Sequence, residues 1–295
     1  LIALLVQAEV AGQDTIPNHV FGGRKTMKKS LIALVALIAM SIAATAFAGD
    51  IRVKGSTTVD PAMKKLVAAF SKMNPAVNFS ISATGSGDGA KAIINGTADI
   101  GMMSRDMKSA EAKKCKANGV TPVQYVIALD CIVPIVHPSN TVEALTLDQI
   151  KGIYQDKIRN WKDVGGNSGV IALFSRETNS GTYEVWHKKV MKKEDEFDMV
   201  SRMPSNAAMA AKIAGNKKGI GYVGLGFLND KIKGLKVNGI EANVANALNK
   251  SYPLSRGLNL YTAGQPTGEV KEFIDFIMSA KGQAIVAEVG FVPVK

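Results

Sequence analysis

The sequence predicts an α/β fold with mostly parallel sheets, and three observations carry that prediction. Short apolar runs alternate with amphipathic ones from Asp50 onward, several of the junctions between them are clusters of Gly, Ser and Thr, and the apolar run "VQYVIALDCIVPIVHP" (123–138) is too long for an ordinary strand.

The elements follow in order. "DIRVKGSTTVDPAMKKLVAAFSKMNP" (50–75) opens as a short strand and turns through Gly55 to Thr58. It continues as a helix with Leu66, Val67 and Phe70 on one face. "AVNFSISATGSGDGAKAIINGTADIGMMS" (76–104) repeats the plan: a strand, a glycine-rich turn at Gly85 to Gly89, a short helix, and "ADIGMM" as a buried strand. A helix is expected in "KSAEAKKCKANG" (108–119). The long apolar run then reads as a strand that passes from one domain into another.

"LTLDQIKGIYQDKIRNWKDVGG" (145–166) predicts a helix ended by Gly152, and "VIALFSRETNSGT" (170–182) predicts a strand leading into a helix start. Helices are expected near 183–196 and 206–214, followed by the strand-like "GIGYVGLGFL" (219–228). "YPLSRGLNLYT" (252–262) is the natural return crossing, and "GEVKEFIDFIMSAKGQAIVAEVG" (268–290) reads as one amphipathic helix.

The length of 295 residues suits two domains, and the apolar content suits a folded chain. From Met27, "MKKSLIALVALIAMSIAATAFAGD" has a basic start, an apolar stretch and Ala46-Phe47-Ala48 as a small-residue cleavage signal. Residues 27–48 are therefore expected to be a secretory signal peptide cut after Ala48, and residues 1–26 an upstream extension outside the mature protein. Removing residues 1–48 leaves 32 basic and 23 acidic residues, so the formal charge falls from +11 to +9. The lysines are scattered, and no recognition helix, zinc finger or aromatic-and-basic motif accompanies them, which argues against nucleic acid. Cys115 and Cys131 leave two readings open in an exported protein, one disulfide or buried free thiols.

Three turns share a design in which a strand ends, Gly, Ser and Thr cluster, and a helix begins: Gly55 to Thr58, Gly85 to Gly89, and Ser180 to Thr182. A helix start offers unpaired N–H groups and partial positive charge, so each turn can receive an anion. Each alone reads first as an ordinary connection. Three together, with Arg176 on the strand end before the third, favour a site. Glu177, next to Arg176, is a candidate partner that would hold the guanidinium in place.

Competing chemistries fit poorly. "GSGDGAK" lacks the second glycine and the Ser or Thr of a phosphate loop, and "GIGYVG" opens no helix as a dinucleotide fingerprint would. His137 and His187 have no Cys or carboxylate at ligand spacing, so no metal is expected, and no nucleophile elbow is present. Trp161 and Trp186 read as packing residues.

With these residues in view, the chain resembles the periplasmic phosphate-binding proteins of ABC importers, within the type 2 periplasmic-binding-protein fold. The resemblance rests on "GSTTVDP", "TGSGDGAKAIINGTADIGMMSR", "VIALDCIVPIVHP", "LTLDQIKGIYQDKIRNWKDVGG", "SRETNSGT", "YPLSRGLNLYT" and "FIDFIMSAKGQAIVAEVGF", in that order. It implies two α/β lobes with mixed, mostly parallel sheets joined by two hinge strands, with the ligand in the cleft between lobes. Residues 50–130 and 253–295 would form the first lobe and 131–252 the second.

It also implies a phosphate site at Thr57, Thr58, Ser86, Arg176, Ser180, Gly181 and Thr182, no catalysis and no cofactor. The partners it implies are inorganic phosphate and the transmembrane permease subunits of an importer. It further implies a monomer that works in the periplasm.

One position departs from the family's best-known pattern, in which an Asp after the "ADIG" strand accepts a hydrogen bond from protonated phosphate. Here Ser104 stands at that place, followed by Arg105, which can add charge to the site or turn to solvent. Asp88 is a candidate replacement acceptor, or else a cap of the helix that follows. The alternatives kept open are another tetrahedral oxyanion such as sulfate or molybdate, an exported phosphatase using the same pocket, and a receptor for signalling or adhesion.

Overall fold

The computed structural model describes residues 50–295. The expected signal peptide and upstream extension lie outside the described residues.

The chain opens with β1 (Ile51–Gly55), and α1 (Asp60–Ser71) follows with Pro61 in its first turn, where a missing N–H costs nothing. Met63, Leu66 and Phe70 form its buried face. β2 (Phe79–Ala83), α2 (Ser86–Ile94), β3 (Ile100–Met103) and α3 (Ser109–Ala117) complete the first run of alternation. β4 (Val123–Val136) is one unbroken 14-residue strand.

Beyond it come β5 (Ala144–Leu145), α4 (Leu147–Tyr154), β6 (Ala172–Arg176), α5 (Gly181–Lys189), β7 (Ser201–Met203), α6 (Asn206–Ala214) and β8 (Gly219–Gly224). The short strands β9 (Lys233–Gly234) and β10 (Lys236–Val237) and the short helix α7 (Val244–Leu248) lead to β11 (Ser255–Thr262). The chain closes with α8 (Gly268–Met278) and α9 (Ala280–Glu288).

The main sheet runs β2-β1-β3-β11-β4-β8-β6-β7. Its two ends are parallel, β2-β1-β3 on one side and β8-β6-β7 on the other, while β11 and β4 join them through antiparallel pairs. β4 spans both halves: residues up to Cys131 pair with β11, and Ile132 to Val136 pair with β8. The apolar core divides in the same way. One cluster gathers Val53, Met63, Leu66, Phe70, Ile100 and Phe273, and another gathers Ile132, Tyr154, Trp186, Ile220 and Tyr222.

Three expectations need correction, and one open choice is decided. The helix near Gly152 runs on to Tyr154, because Gly152 has ordinary helical surroundings and packs against Ile158. The helix expected over 183–196 stops at Lys189, and the chain then passes through positive φ at Lys192 and Lys193. The C-terminal segment is two helices, because Ser279 turns extended (φ −75°, ψ 164°) and its hydroxyl accepts from the Gly282 N–H to start a second helix. Of the two readings for the cysteines, free thiols hold: Cys115 and Cys131 are unbonded, both are buried, and burial brings the Cys131 thiol up to about 11.

Gly55 ends β1 at φ +133°, and a Cβ there would lie 2.2 Å from the Met102 carbonyl oxygen. Gly55→Ala is expected to cost ~2–4 kcal/mol, read as a clear fall in the thermal midpoint. An unchanged midpoint would contradict this reading of the first turn.

Candidate functional site

The three turns converge on one buried cluster. The first supplies Thr57 and Thr58, and Ser56 caps it by accepting from the N–H groups of Thr58 (3.1 Å) and Val59 (3.3 Å). The second begins at Gly85, whose φ of +137° turns the chain into α2 so that Ser86 is its first residue. In the third, the Ser180 hydroxyl caps α5 by accepting from Tyr183 N–H at 3.3 Å, which leaves Gly181 and Thr182 at the first helical positions.

The turns touch directly. Thr58 Oγ1 and Thr182 Oγ1 are 3.0 Å apart, and Ser86 Oγ lies 3.3 Å from Ser104 Oγ and accepts from Ser104 N–H at 3.0 Å. A Cβ on Gly181 would stand 2.2 Å from Ser86 Oγ and 2.8 Å from Ser104 Oγ, so only glycine lets the second and third turns meet this closely. The backbone N–H of Gly87 donates to the Asn179 carbonyl at 3.0 Å, which ties the same two turns together at their rim.

Two arginines serve this cluster in different ways. Arg256 sits on β11 directly opposite Asp130 on β4, and its Nε and Nη2 donate to the same carboxylate oxygen at 2.9 and 2.7 Å. Burial raises the Asp130 carboxyl, against the pull of Arg256 and of backbone N–H groups such as that of Leu225. The remaining nitrogen, Nη1, donates to the Ser104 carbonyl (3.1 Å) and to Thr182 Oγ1 (2.9 Å). From the other side Asn206 donates to Thr58 Oγ1 at 2.9 Å. Lone pairs of both threonine hydroxyls are thus occupied by fixed donors, and one bond between the hydroxyls uses only one of their two protons. The other remains to donate to a ligand.

Arg176, at the end of β6, is 1% exposed and makes no ion pair among the described residues. Its Nε donates to the Met203 carbonyl (3.0 Å), and its Nη2 donates to Thr57 Oγ1 (2.9 Å) and the Pro204 carbonyl (3.0 Å). Nη1 is buried with no hydrogen-bond partner. Burial, with a lesser push from Arg256, brings the Arg176 pKa down to about 10. A buried guanidinium without a carboxylate is costly, and an anion set against Nη1 would remove that cost.

Its backbone is held firmly. Arg176 N–H donates to Tyr222 Oη (3.2 Å), Ser175 Oγ donates to Glu196 (2.9 Å), and Arg202 donates to the Arg176 carbonyl (2.8 Å). Because the Ser175 proton goes to Glu196, the 2.8 Å contact between Tyr222 and Ser175 is a bond donated by tyrosine.

Of the residues expected at the site, Thr57, Thr58, Ser86, Ser104, Arg176, Ser180, Gly181 and Thr182 lie together. Asp88 does not join them. Its side chain is a third exposed and is engaged by Asn179 Nδ2 (3.1 Å) and Lys91 (3.5 Å), while Gly85 occupies the cap position. Glu177 is exposed and forms no pair with Arg176. Arg105 neither faces the cluster nor turns to solvent; it is buried between Glu111 and Glu184. Sequence reasoning missed Asp130, Arg256 and Asn206. The signal for the first was present, since a lone carboxylate inside "VIALDCIVP" needs a buried cation opposite it.

A model of the PBP superfamily domain matches residues 41–281. The chain belongs to this superfamily. Among its relatives, the phosphate-binding protein PstS of Staphylococcus saprophyticus is 32% identical over 83% of this chain and 80% of its own length. PstS of Pseudomonas aeruginosa is 29% identical over 85% and 84%. A putative phosphate ABC transporter substrate-binding protein from Clostridium perfringens, solved with bound phosphate, superposes with a TM-score of 0.78 at 37% identity, covering 84% of this chain and all of that one. An ABC-type phosphate transport receptor from Vibrio cholerae gives 0.69 at 28% identity, over 82% and 99%. The family is thus that of the phosphate-binding proteins of ABC importers, as the motifs implied, and the fold is the one they predicted.

Two outcomes follow for the site. Arg176→Met is expected to weaken anion binding at least about a hundredfold, measured by calorimetric titration. Asp88→Asn is expected to leave affinity within about twofold, as for other solvent-screened pairs, and to leave any preference between phosphate and sulfate unchanged. A selective loss of phosphate would return Asp88 to the site.

Proposed function

We propose that the chain captures inorganic phosphate in the cluster of Thr57, Thr58, Ser86, Ser104, Arg176, Ser180, Gly181 and Thr182, and delivers it to the permease subunits of an ABC importer. The observation that carries this reading is the buried Arg176, which has a free Nη1 and no carboxylate and lies among three helix starts. One guanidinium, hydroxyls with protons to give, and first-turn N–H groups suit a tetrahedral oxyanion with several acceptor oxygens. Relatives named for phosphate binding support phosphate as that anion. The role is capture and release, with no chemical step, and it needs no cofactor.

The proposed lobes are residues 50–130 with 253–295 and residues 131–252, a division supported by the two parallel ends of the sheet. The cluster draws from both: Thr57, Thr58, Ser86 and Ser104 come from the first, and Arg176 and Ser180 to Thr182 from the second. A ligand gripped by both sides favours closure, and release requires opening. Export through the segment 27–48, with cleavage after Ala48, would place the receptor in the periplasm, where a monomer suffices for this work.

Titration of ligand-free protein with phosphate is the test. Binding with a rise in thermal midpoint is expected, since a ligand at a hundred times its Kd adds ~2.7 kcal/mol. No heat and no thermal shift with phosphate would end the proposal. Binding of sulfate alone would move the function to another oxyanion.

A further inference from the structure

We propose that Glu184 is a closing residue for the anion site: clasped by Arg105 and Lys108 from the opposite half of the sheet, it sets how tightly the site stays shut. The inference rests on the binding role proposed above. Glu184 lies in the first turn of α5, two residues beyond Thr182, and Arg105 directly follows Ser104. One oxygen of the Glu184 carboxylate meets Arg105 Nε at 2.8 Å and Lys108 Nζ at 2.6 Å. The first of these is an ion-pair contact without a hydrogen bond from Nε, whereas Arg105 Nη1 and Nη2 donate to the two oxygens of Glu111, at 2.8 and 2.7 Å.

The arrangement is asymmetric in a useful way. Within its own half of the sheet Arg105 is already bidentately paired with Glu111, so it keeps a partner when the halves separate. Glu184 has no such reserve. Its two cations both come from across the cleft, and its side chain is only 13% exposed in this arrangement. Separating the halves returns one carboxylate to water and loses two ion pairs at once. Each end of the clasp is joined through the chain to a binding residue, so force on one is felt by the other.

The clasp also borders a cleft of about 770 Å³ lined by Lys108, Tyr183, Lys189 and Arg256. Dissolved ions reach its rim there, which makes the closing contribution salt-dependent.

Full-chain protein with Glu184→Gln tests this by phosphate titration at low and high salt. Arg105 retains Glu111 in that variant, so no buried charge is stranded. Affinity is expected to fall about tenfold at low salt, and the gap between variant and parent is expected to narrow at high salt. Lys108→Gln, which removes only the exposed end of the clasp, should weaken binding in the same direction by about two- to threefold. Parent-like affinity in both variants at both salts would overturn the proposal, as would a loss that salt does not alter.

Small-angle scattering of the ligand-free proteins reads the clasp without any anion. A larger radius of gyration for Glu184→Gln than for the parent is expected, and equal radii count against the clasp. Failure of the parent to bind phosphate would instead defeat the functional reading, leaving scattering to judge Glu184.

Discussion

The buried pair of Asp130 and Arg256 is the constraint around which the rest is arranged. The two residues face each other across the antiparallel junction of β4 and β11, where the halves of the sheet meet. Neither charge could stay buried alone. Paired, they leave Arg256 Nη1 free to fix Ser104 and Thr182, while the other Asp130 oxygen accepts from Leu225 N–H at 2.8 Å. One ion pair thereby fixes points on both sides of the cleft and orients the hydroxyls that meet there.

Arg176 has the opposite design. Its backbone is fixed by Tyr222 and Arg202, and its side chain is fixed by two carbonyls and Thr57, yet no carboxylate among the described residues pairs with it. Arg256 thus serves architecture, while Arg176 keeps one buried nitrogen without a partner. Desolvation makes the second arginine strongly selective for negative charge, because in a low-dielectric site an unpaired cation gains far more from an anion than it would at the surface.

Much of this was legible in the sequence. Alternating apolar and amphipathic runs gave the order of elements, and the Gly-Ser-Thr turns marked the helix starts, because those residues have local backbone reasons to stand there. The over-long run at 123–138 correctly signalled a strand common to both halves. What escaped reading depends on contacts between distant segments. Arg256 meets Asp130 across 126 positions, and Asn206 meets Thr58 across 148. The direction of the Asp88 side chain was hidden for a related reason: spacing sets it in an anion-type turn, but which way it points depends on Asn179 from another turn. The C-terminal break at Ser279 was missed because its flanks keep helical periodicity through a residue whose hydroxyl starts a new helix.

Gly181 has a consequence of a mechanical kind. At that point the separation between the second and third turns is smaller than a methyl group, since a Cβ would stand 2.2 Å from Ser86 Oγ. Any side chain placed there is a wedge, and its size would set the resting aperture of the cleft. A graded series from glycine through alanine to valine would then hold the second and third turns progressively further apart.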